Sequence, residues 1–166
     1  IPGKNYELKK KEEDIALLER ILLATPKILK DRNVLPKNEA EVRQEIYSLL
    51  IHVFPSTVRE FSIPKELTNY KPDIGVKSLK CAIEYKFVTT EEETRKFIGE
   101  IYEDMMAYDG SEDWKIFYAV IYMTDNYVTQ AQVDSQVISS NGKNTWKVIL
   151  VYGKGEREKR SLKKKA

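Results

Sequence analysis

Trp114 to Met123 reads Trp-Lys-Ile-Phe-Tyr-Ala-Val-Ile-Tyr-Met, apolar on both alternating sets of side chains. A strand built from it has no face to give to water, so it suits a central strand covered on both sides. Strands need a sheet, and a doubly covered sheet needs helices on both faces. That one segment steers the chain toward a layered α/β architecture.

The remaining pattern supplies the layers. Between Tyr6 and Leu29, apolar residues fall at helical spacing at Leu8, Ile15, Leu18, Ile21, Leu22 and Leu29. Pro26 interrupts them, so the helix is expected to kink or restart near Ala24-Thr25. A loop with Pro36 follows. Asn38 can cap a second helix to about Val53, and Glu39 and Glu41 suit its positive N-terminal end. Val42, Ile46, Leu49, Leu50 and Val53 form its apolar face, and Phe54-Pro55-Ser56 stops it.

Three strands are predicted next, over Thr57–Ile63, Lys71–Lys77 and Leu79–Val88. The third is the clearest: Cys81, Ile83, Tyr85 and Phe87 alternate with Ala82, Glu84, Lys86 and Val88. Thr89 or Thr90 can cap a helix whose first turn holds Glu91, Glu92 and Glu93. Its buried stripe is Phe97, Ile98, Ile101, Met105 and Tyr108, and Gly110 fits its stop. After the central strand come a short helix over Thr124–Ser139, a turn at Asn141-Gly142 and a last strand over Thr145–Tyr152. The fold class is α/β: a mixed central β-sheet flanked by helices.

Composition narrows the function classes. A chain of 166 residues, 42% hydrophobic, fits one domain with its own core. No apolar run approaches the roughly 18 residues of a membrane span. A single cysteine, Cys81, excludes an internal disulfide framework and a Cys-rich zinc site. A cytoplasmic location is the expectation. The start at Ile1-Pro2-Gly3, without Met, reads as a piece of a longer chain or complex. Net charge is only +2, but residues 154–166 carry seven Lys/Arg against two Asp/Glu. The body, at −3, is no broadly basic nucleic-acid binder, so such a partner must be held by a local patch or a metal. The tail is either a solvated flexible end or an added phosphate contact.

Pro72-Asp73, followed by Glu84-Tyr85-Lys86, is the motif that carries chemistry. As a bare pattern it is common; its place on two short apolar strands gives it weight. Glu84 and Lys86 are two apart on a strand and share a face, while Tyr85 points to the other. If the second and third strands form a hairpin, Asp73 lies beside them. Adjacent carboxylates repel unless protonated or bound to a cation. A hard divalent ion such as Mg²⁺, with Mn²⁺ as a substitute, resolves the conflict and leaves room for water and a phosphate oxygen. The backbone carbonyl of Tyr85 is a further possible ligand. Lys86 would orient the attacking water or stabilise charge on the phosphate.

These residues resemble the core motif of the PD-(D/E)XK nuclease superfamily, the restriction-endonuclease-like fold, over roughly residues 39 to 152. The resemblance implies an αβββαβ core over 39–153, preceded by a helical extension over 1–38 and followed by a basic tail over 154–166. It implies Asp73, Glu84 and Lys86 as catalytic residues, with Asp73 and Glu84 as metal ligands. It also implies a glutamate on the helix before the first core strand, for which Glu45 is the match and Glu41 the substitute. The stretch from Glu41 through Phe54, Glu60, Asp73 and Glu84 to Tyr108 further resembles a branch seen among restriction enzymes and phage-defence proteins.

Each residue also has a plainer reading. Asp73 could be a turn acid after proline, and Glu84 and Lys86 a solvent-facing pair of opposite charges. His52, the sole histidine, reads as a packed or exposed helix residue, and a zinc site or nucleophilic triad lacks its residues. Glu100, Asp104 and Tyr108 share a helix face that either lines a substrate groove or is simply solvated. Two functions follow: a Mg²⁺-dependent endonuclease domain acting on nucleic acid, DNA favoured, with a homodimer expected for cutting two strands, or a non-catalytic nucleic-acid-binding or assembly domain of the same fold.

Overall fold

A computed structural model describes residues 2–64, 69–107, 111–134 and 144–157. Helix α1 spans Pro2–Leu23 and α2 spans Thr25–Asp31. The break at Ala24 is where Pro26 demanded it: the Ala24 N–H still reaches Arg20 O (3.0 Å), and Pro26 sits in the first turn of the new helix. The first half of α1 is exposed, while Leu18, Leu22 and Leu29 are sealed in the core. Helix α3 spans Glu39–Val53, and the Asn38 side chain accepts the Glu41 N–H at 2.9 Å. Val42, Ile46 and Leu50 anchor it.

The strands are β1 (Thr57–Arg59), β2 (Ile63–Pro64), β3 (Asn69–Tyr70), β4 (Ile74–Val76), β5 (Cys81–Val88), β6 (Ile116–Met123) and β7 (Thr145–Tyr152). Five of them form one sheet in the order β1-β4-β5-β6-β7, while β2 and β3 pair separately. β4 is antiparallel to both β1 and β5, and β5, β6 and β7 run parallel. Helix α4 (Glu91–Ala107) makes the crossover from β5 to β6, and α5 (Gln130–Asp134) stands before β7. The result is a mixed sheet between helical layers, the restriction-endonuclease-like α/β class. As its sequence required, β6 is buried from Phe117 to Met123 with the sheet's two cores on either side.

Those cores divide the side chains of β5. Cys81, Ile83, Tyr85 and Phe87 pack with α1, α2 and α3, while Ala82 and Val88 pack with α4. Glu84 and Lys86 share the α4 face, on the part of β5 that β4 does not cover.

Several predicted elements are shorter than their apolar patterns. The first strand stops at Arg59 because Glu60 turns left-handed (φ 52°) and Phe61 leaves to stack on Trp114, ring centroids 4.5 Å apart. That pair lies directly over Gly75, where a Cβ would come within 2.6–2.8 Å of both rings. The second strand begins only at Ile74. The helix expected over Thr124–Ser139 is helical at Gln130–Asp134, with Ser135–Ser139 outside the described residues; Asn141-Gly142 and Gly110 lie outside them too. The tail expected from residue 154 is docked at its start. Tyr122 donates to Lys154 O, the Glu156 N–H bonds Pro36 O at 3.0 Å, and Arg157 grips Glu93 at 2.6 Å.

Candidate active site

The site is built where β4 ends and β5 continues. Ile74 pairs with Ile83, so the antiparallel register sets Asp73 opposite Glu84. The Asp73 N–H still bonds Ile83 O at 3.0 Å. One step further on the β5 edge, the Asp73 carboxylate takes over from the backbone: its Oδ2 accepts the Tyr85 N–H at 2.7 Å. Pro72 has no N–H to continue a ladder, so the chain leaves the sheet at this point. A carboxylate is thereby pinned at the open end of the ribbon.

Four more charged side chains converge on it. Lys86 Nζ lies 3.0 Å from Glu84 Oε1 and 4.9 Å from the centre of the Phe97 ring. Tyr70 donates to Glu84 Oε2 at 3.3 Å. From α3, Arg43 Nη1 reaches Asp73 Oδ1 at 3.0 Å and lies 3.9 Å from Glu39 Oε1, one helical turn back. The Asp73 and Glu84 side chains retain only 12% and 18% exposure, so these charges interact through little water.

The ionisation of the cluster follows from that crowding. Burial, reinforced by Asp73 and Glu84, outweighs the pull of Lys86 and Arg43 and pushes Glu39 up to about 7. Glu84 is also raised, first by burial and then by Asp73 and Asp104, against the opposing Lys86. For Lys86, burial works to lower its value, but Glu84, Glu39 and Asp73 together leave it above the ordinary lysine value. Burial and Glu84 raise the Tyr70 phenol, which keeps it a hydrogen-bond donor.

Asp73, Glu84 and Lys86 are therefore brought together as the strand alternation predicted. The expected helix glutamates, Glu45 and Glu41, line the cleft beside Asp73 but are paired elsewhere. Glu45 Oε2 accepts from Arg32 at 2.9 Å, and Glu41 Oε2 accepts the Lys37 N–H at 2.7 Å, so both serve the α2–α3 connection. Glu39 is the α3 glutamate whose charge is felt by Lys86 and which feels Asp73 and Glu84 in return. The helix phase explains the difference. Glu39 and Arg43 lie on one stripe with the buried Ile46 and Leu50, at spacings of three, four and seven residues, and Glu45 falls on the other side of Val42. Asp104 bears electrostatically on both Glu84 and Tyr70, so α4 does contribute to the site. Glu100 instead faces Lys96 at 4.0 Å, and Tyr108 lies outside the described residues. His52 is exposed in the last turn of α3.

Arg43 and Tyr70 carry no expectation from the sequence, and Phe97 is expected there only as part of the apolar stripe of α4. Arg43 was legible in principle, since the Asn38 cap fixes the phase of α3 and the i, i+4 pairing with Glu39. Tyr70 was not, because the short β2–β3 pair that carries it has no periodicity to read. Beside Asp73 a cleft of about 660 Å³ opens, with Arg43, Gln44, Tyr47, Arg59 and Glu60 among its lining. The Arg59 guanidinium is held over the Tyr47 ring at 5.0 Å.

Two carboxylates face each other across the β4–β5 register, with a third, Glu39, within electrostatic reach. Among the described residues no three acidic, histidine or cysteine side chains gather closely enough to enclose an ion. The donor set thus fits a hard cation that takes one or two carboxylates and fills its remaining positions with water or phosphate oxygen, as Mg²⁺ does. It does not fit a closed zinc-type cage.

A family model described as REase_DpnII-MboI, the DpnII-MboI restriction endonucleases, matches residues 24–153. No curated protein and no solved structure matches the chain. The matched segment runs from the restart of the N-terminal helix to the end of β7 and contains the whole of the Asp73–Glu84–Lys86 cluster. The chain belongs to the DpnII-MboI restriction endonuclease family.

Proposed function

We propose that this chain is a divalent-cation-dependent DNA endonuclease domain that hydrolyses phosphodiester bonds at the Asp73–Glu84–Lys86 cluster. The observation that carries the reading is the pairing of Asp73 against Glu84 at the open end of the β4–β5 ribbon, with Lys86 3.0 Å from Glu84. Hydrolysis adds water oxygen to phosphorus and breaks the bond to a sugar oxygen, which leaves with a proton. Charge builds on the phosphate and on the leaving oxygen as it does so. Asp73 and Glu84 would hold a Mg²⁺ ion, which would supply Lewis acidity when bound.

The chain's own residues do the rest. Tyr85 N–H orients the Asp73 carboxylate, and Tyr70 orients Glu84. Lys86 is an ammonium in this charge environment, so its first role is to hold negative charge on the phosphate rather than to take a proton. It becomes able to accept one only when the neighbouring carboxylate charge is neutralised. Phe97 beneath Lys86 limits its conformations. Glu39 serves as the third carboxylate of the site. Arg59, held over Tyr47 in the adjoining cleft, is a candidate contact to the DNA backbone on a cleft that is otherwise mixed in charge. Severing both strands of a duplex calls for two such sites, which a second copy of the chain supplies.

The test is cleavage of plasmid DNA in Mg²⁺ or Mn²⁺ by the native chain and by an Asp73→Ala, Glu84→Ala double variant. Nicking or linearisation by the native chain alone is expected. Equal cleavage by both, or DNA binding without cleavage by the native chain, would point to a nucleic-acid-binding domain instead.

A further inference from the structure

Both oxygens of Asp73 are already engaged. Oδ2 accepts the Tyr85 backbone N–H at 2.7 Å, a bond fixed by the sheet. Oδ1 accepts from Arg43 Nη1 at 3.0 Å. A cation that approaches Asp73 from the α3 side meets the guanidinium at Oδ1, while Oδ2 is occupied by the edge N–H of β5. Arg43 has a second place to go: Glu39 Oε1, 3.9 Å away and one turn back on the same helix. Its side chain is 36% exposed, so a swing toward Glu39 and the adjoining cleft meets no packed core. Glu84 is engaged at Oε1 by Lys86 at 3.0 Å and at Oε2 by a longer 3.3 Å bond from Tyr70, the weaker of its two contacts.

We propose that Arg43 is a built-in competitor of the divalent cation. It neutralises Asp73 in the metal-free protein and must yield Oδ1, shifting toward Glu39, before the cation binds. This rests on the reading of Asp73 and Glu84 as the cation site. In the metal-free protein the guanidinium relieves the repulsion between Asp73 and Glu84, so the fold does not depend on the ion. The same contact weakens cation binding, because each ion bound costs one charge-assisted hydrogen bond. Arg43 thereby sets the cation concentration at which the site loads.

The test uses the full chain and Mn²⁺ calorimetry. Arg43→Gln removes the competing charge and is expected to bind Mn²⁺ about ten- to a hundred-fold more tightly, the equivalent of one charge-assisted hydrogen bond. The same variant is expected to melt lower than the native chain without metal and to regain the difference in saturating Mn²⁺. Arg43→Lys, which keeps a charge on the helix, covers the case in which the glutamine variant does not fold. It is expected to show a smaller gain because a lysine lacks the planar fork. In the native chain, the Arg43 Nε–H resonance is expected to move as Mg²⁺ is added. Unchanged or weaker Mn²⁺ affinity in both Arg43 variants, or a stationary Arg43 resonance under saturating Mg²⁺, overturns the competition while leaving the site intact. An Asp73→Ala variant that binds Mn²⁺ like the native chain overturns the site itself, and the two failures are thus distinguishable.

Discussion

Residues 83 to 87 of β5 put two chemistries on the two faces of one strand. On one face Ile83, Tyr85 and Phe87 are sealed against α1–α3, and the Tyr85 hydroxyl shares a 2.8 Å hydrogen bond with Thr25, which also donates to Leu22 O. On the other face Glu84 and Lys86 stand among Asp73, Glu39 and Tyr70. The first face holds its polar atoms in satisfied pairs inside an apolar layer. The second crowds like charges that burial and proximity push away from their ordinary ionisation. Period-two alternation keeps the two apart with no insulating layer, so the core can hold a destabilised cluster rigid. Stability and chemistry should therefore separate by odd and even residue number along this strand.

The largest break in that comparison is a cavity on the packed face. Ile83→Ala is expected to lose about 2–5 kcal/mol of stability in denaturant melts while the folded fraction keeps its cation site. On the charged face, Lys86→Ala is expected to do the reverse. DNA cleavage should fall about 100- to 1000-fold in single-turnover assays, the size typical of removing one preorganised electrostatic group. Melting of that variant should stay cooperative. A smaller effect separates packing from hydrogen bonding: Tyr85→Phe keeps the ring and should cost about 1 kcal/mol. A loss as large as that of Ile83→Ala would mean that the Thr25 bond organises the layer.

The smallest effect concerns pH. Glu39 sits at about 7 in the folded chain, above its unfolded value of roughly 4.3, so the folded state holds its proton longer. Its contribution to stability is fully present below the unfolded value and is lost as pH rises toward 7. Thermal melts of the metal-free chain between pH 5 and pH 8 should show that decline, and Glu39→Gln should flatten it. A native profile that rises through this window would place Glu39 in a different environment.

The packed face was the more legible of the two. The apolar run of β6, the alternation of β5, the Asn38 cap and the break before Pro26 each follow from local rules, and each element lies where those rules put it. Asp73, Glu84 and Lys86 were legible because strand alternation fixes their directions. The strand expected from Lys71 begins only at Ile74, because Pro72 has no N–H for the ladder and the Asp73 carboxylate replaces the next backbone acceptor; the proline was a local signal, the side-chain replacement was not. The resemblance points to Glu45 or Glu41 and not to Glu39, because it gives a residue type on a helix and not its phase. Glu39 and Arg43 meet Asp73 only through the packing of α3 on β1 and β5, a long-range contact. Arg157, expected in a free tail, is held by the bidentate geometry it finds at Glu93.

Cleavage is proposed to take place, with a divalent cation, on the even-numbered face of β5. The most direct measurement is single-turnover cleavage of duplex DNA by Glu84→Gln in Mg²⁺, with the melting curve of the same preparation recorded beside it. A cooperatively folded protein with cleavage reduced at least about 100-fold is expected. A folded Glu84→Gln protein that cleaves at the native rate would contradict the proposal.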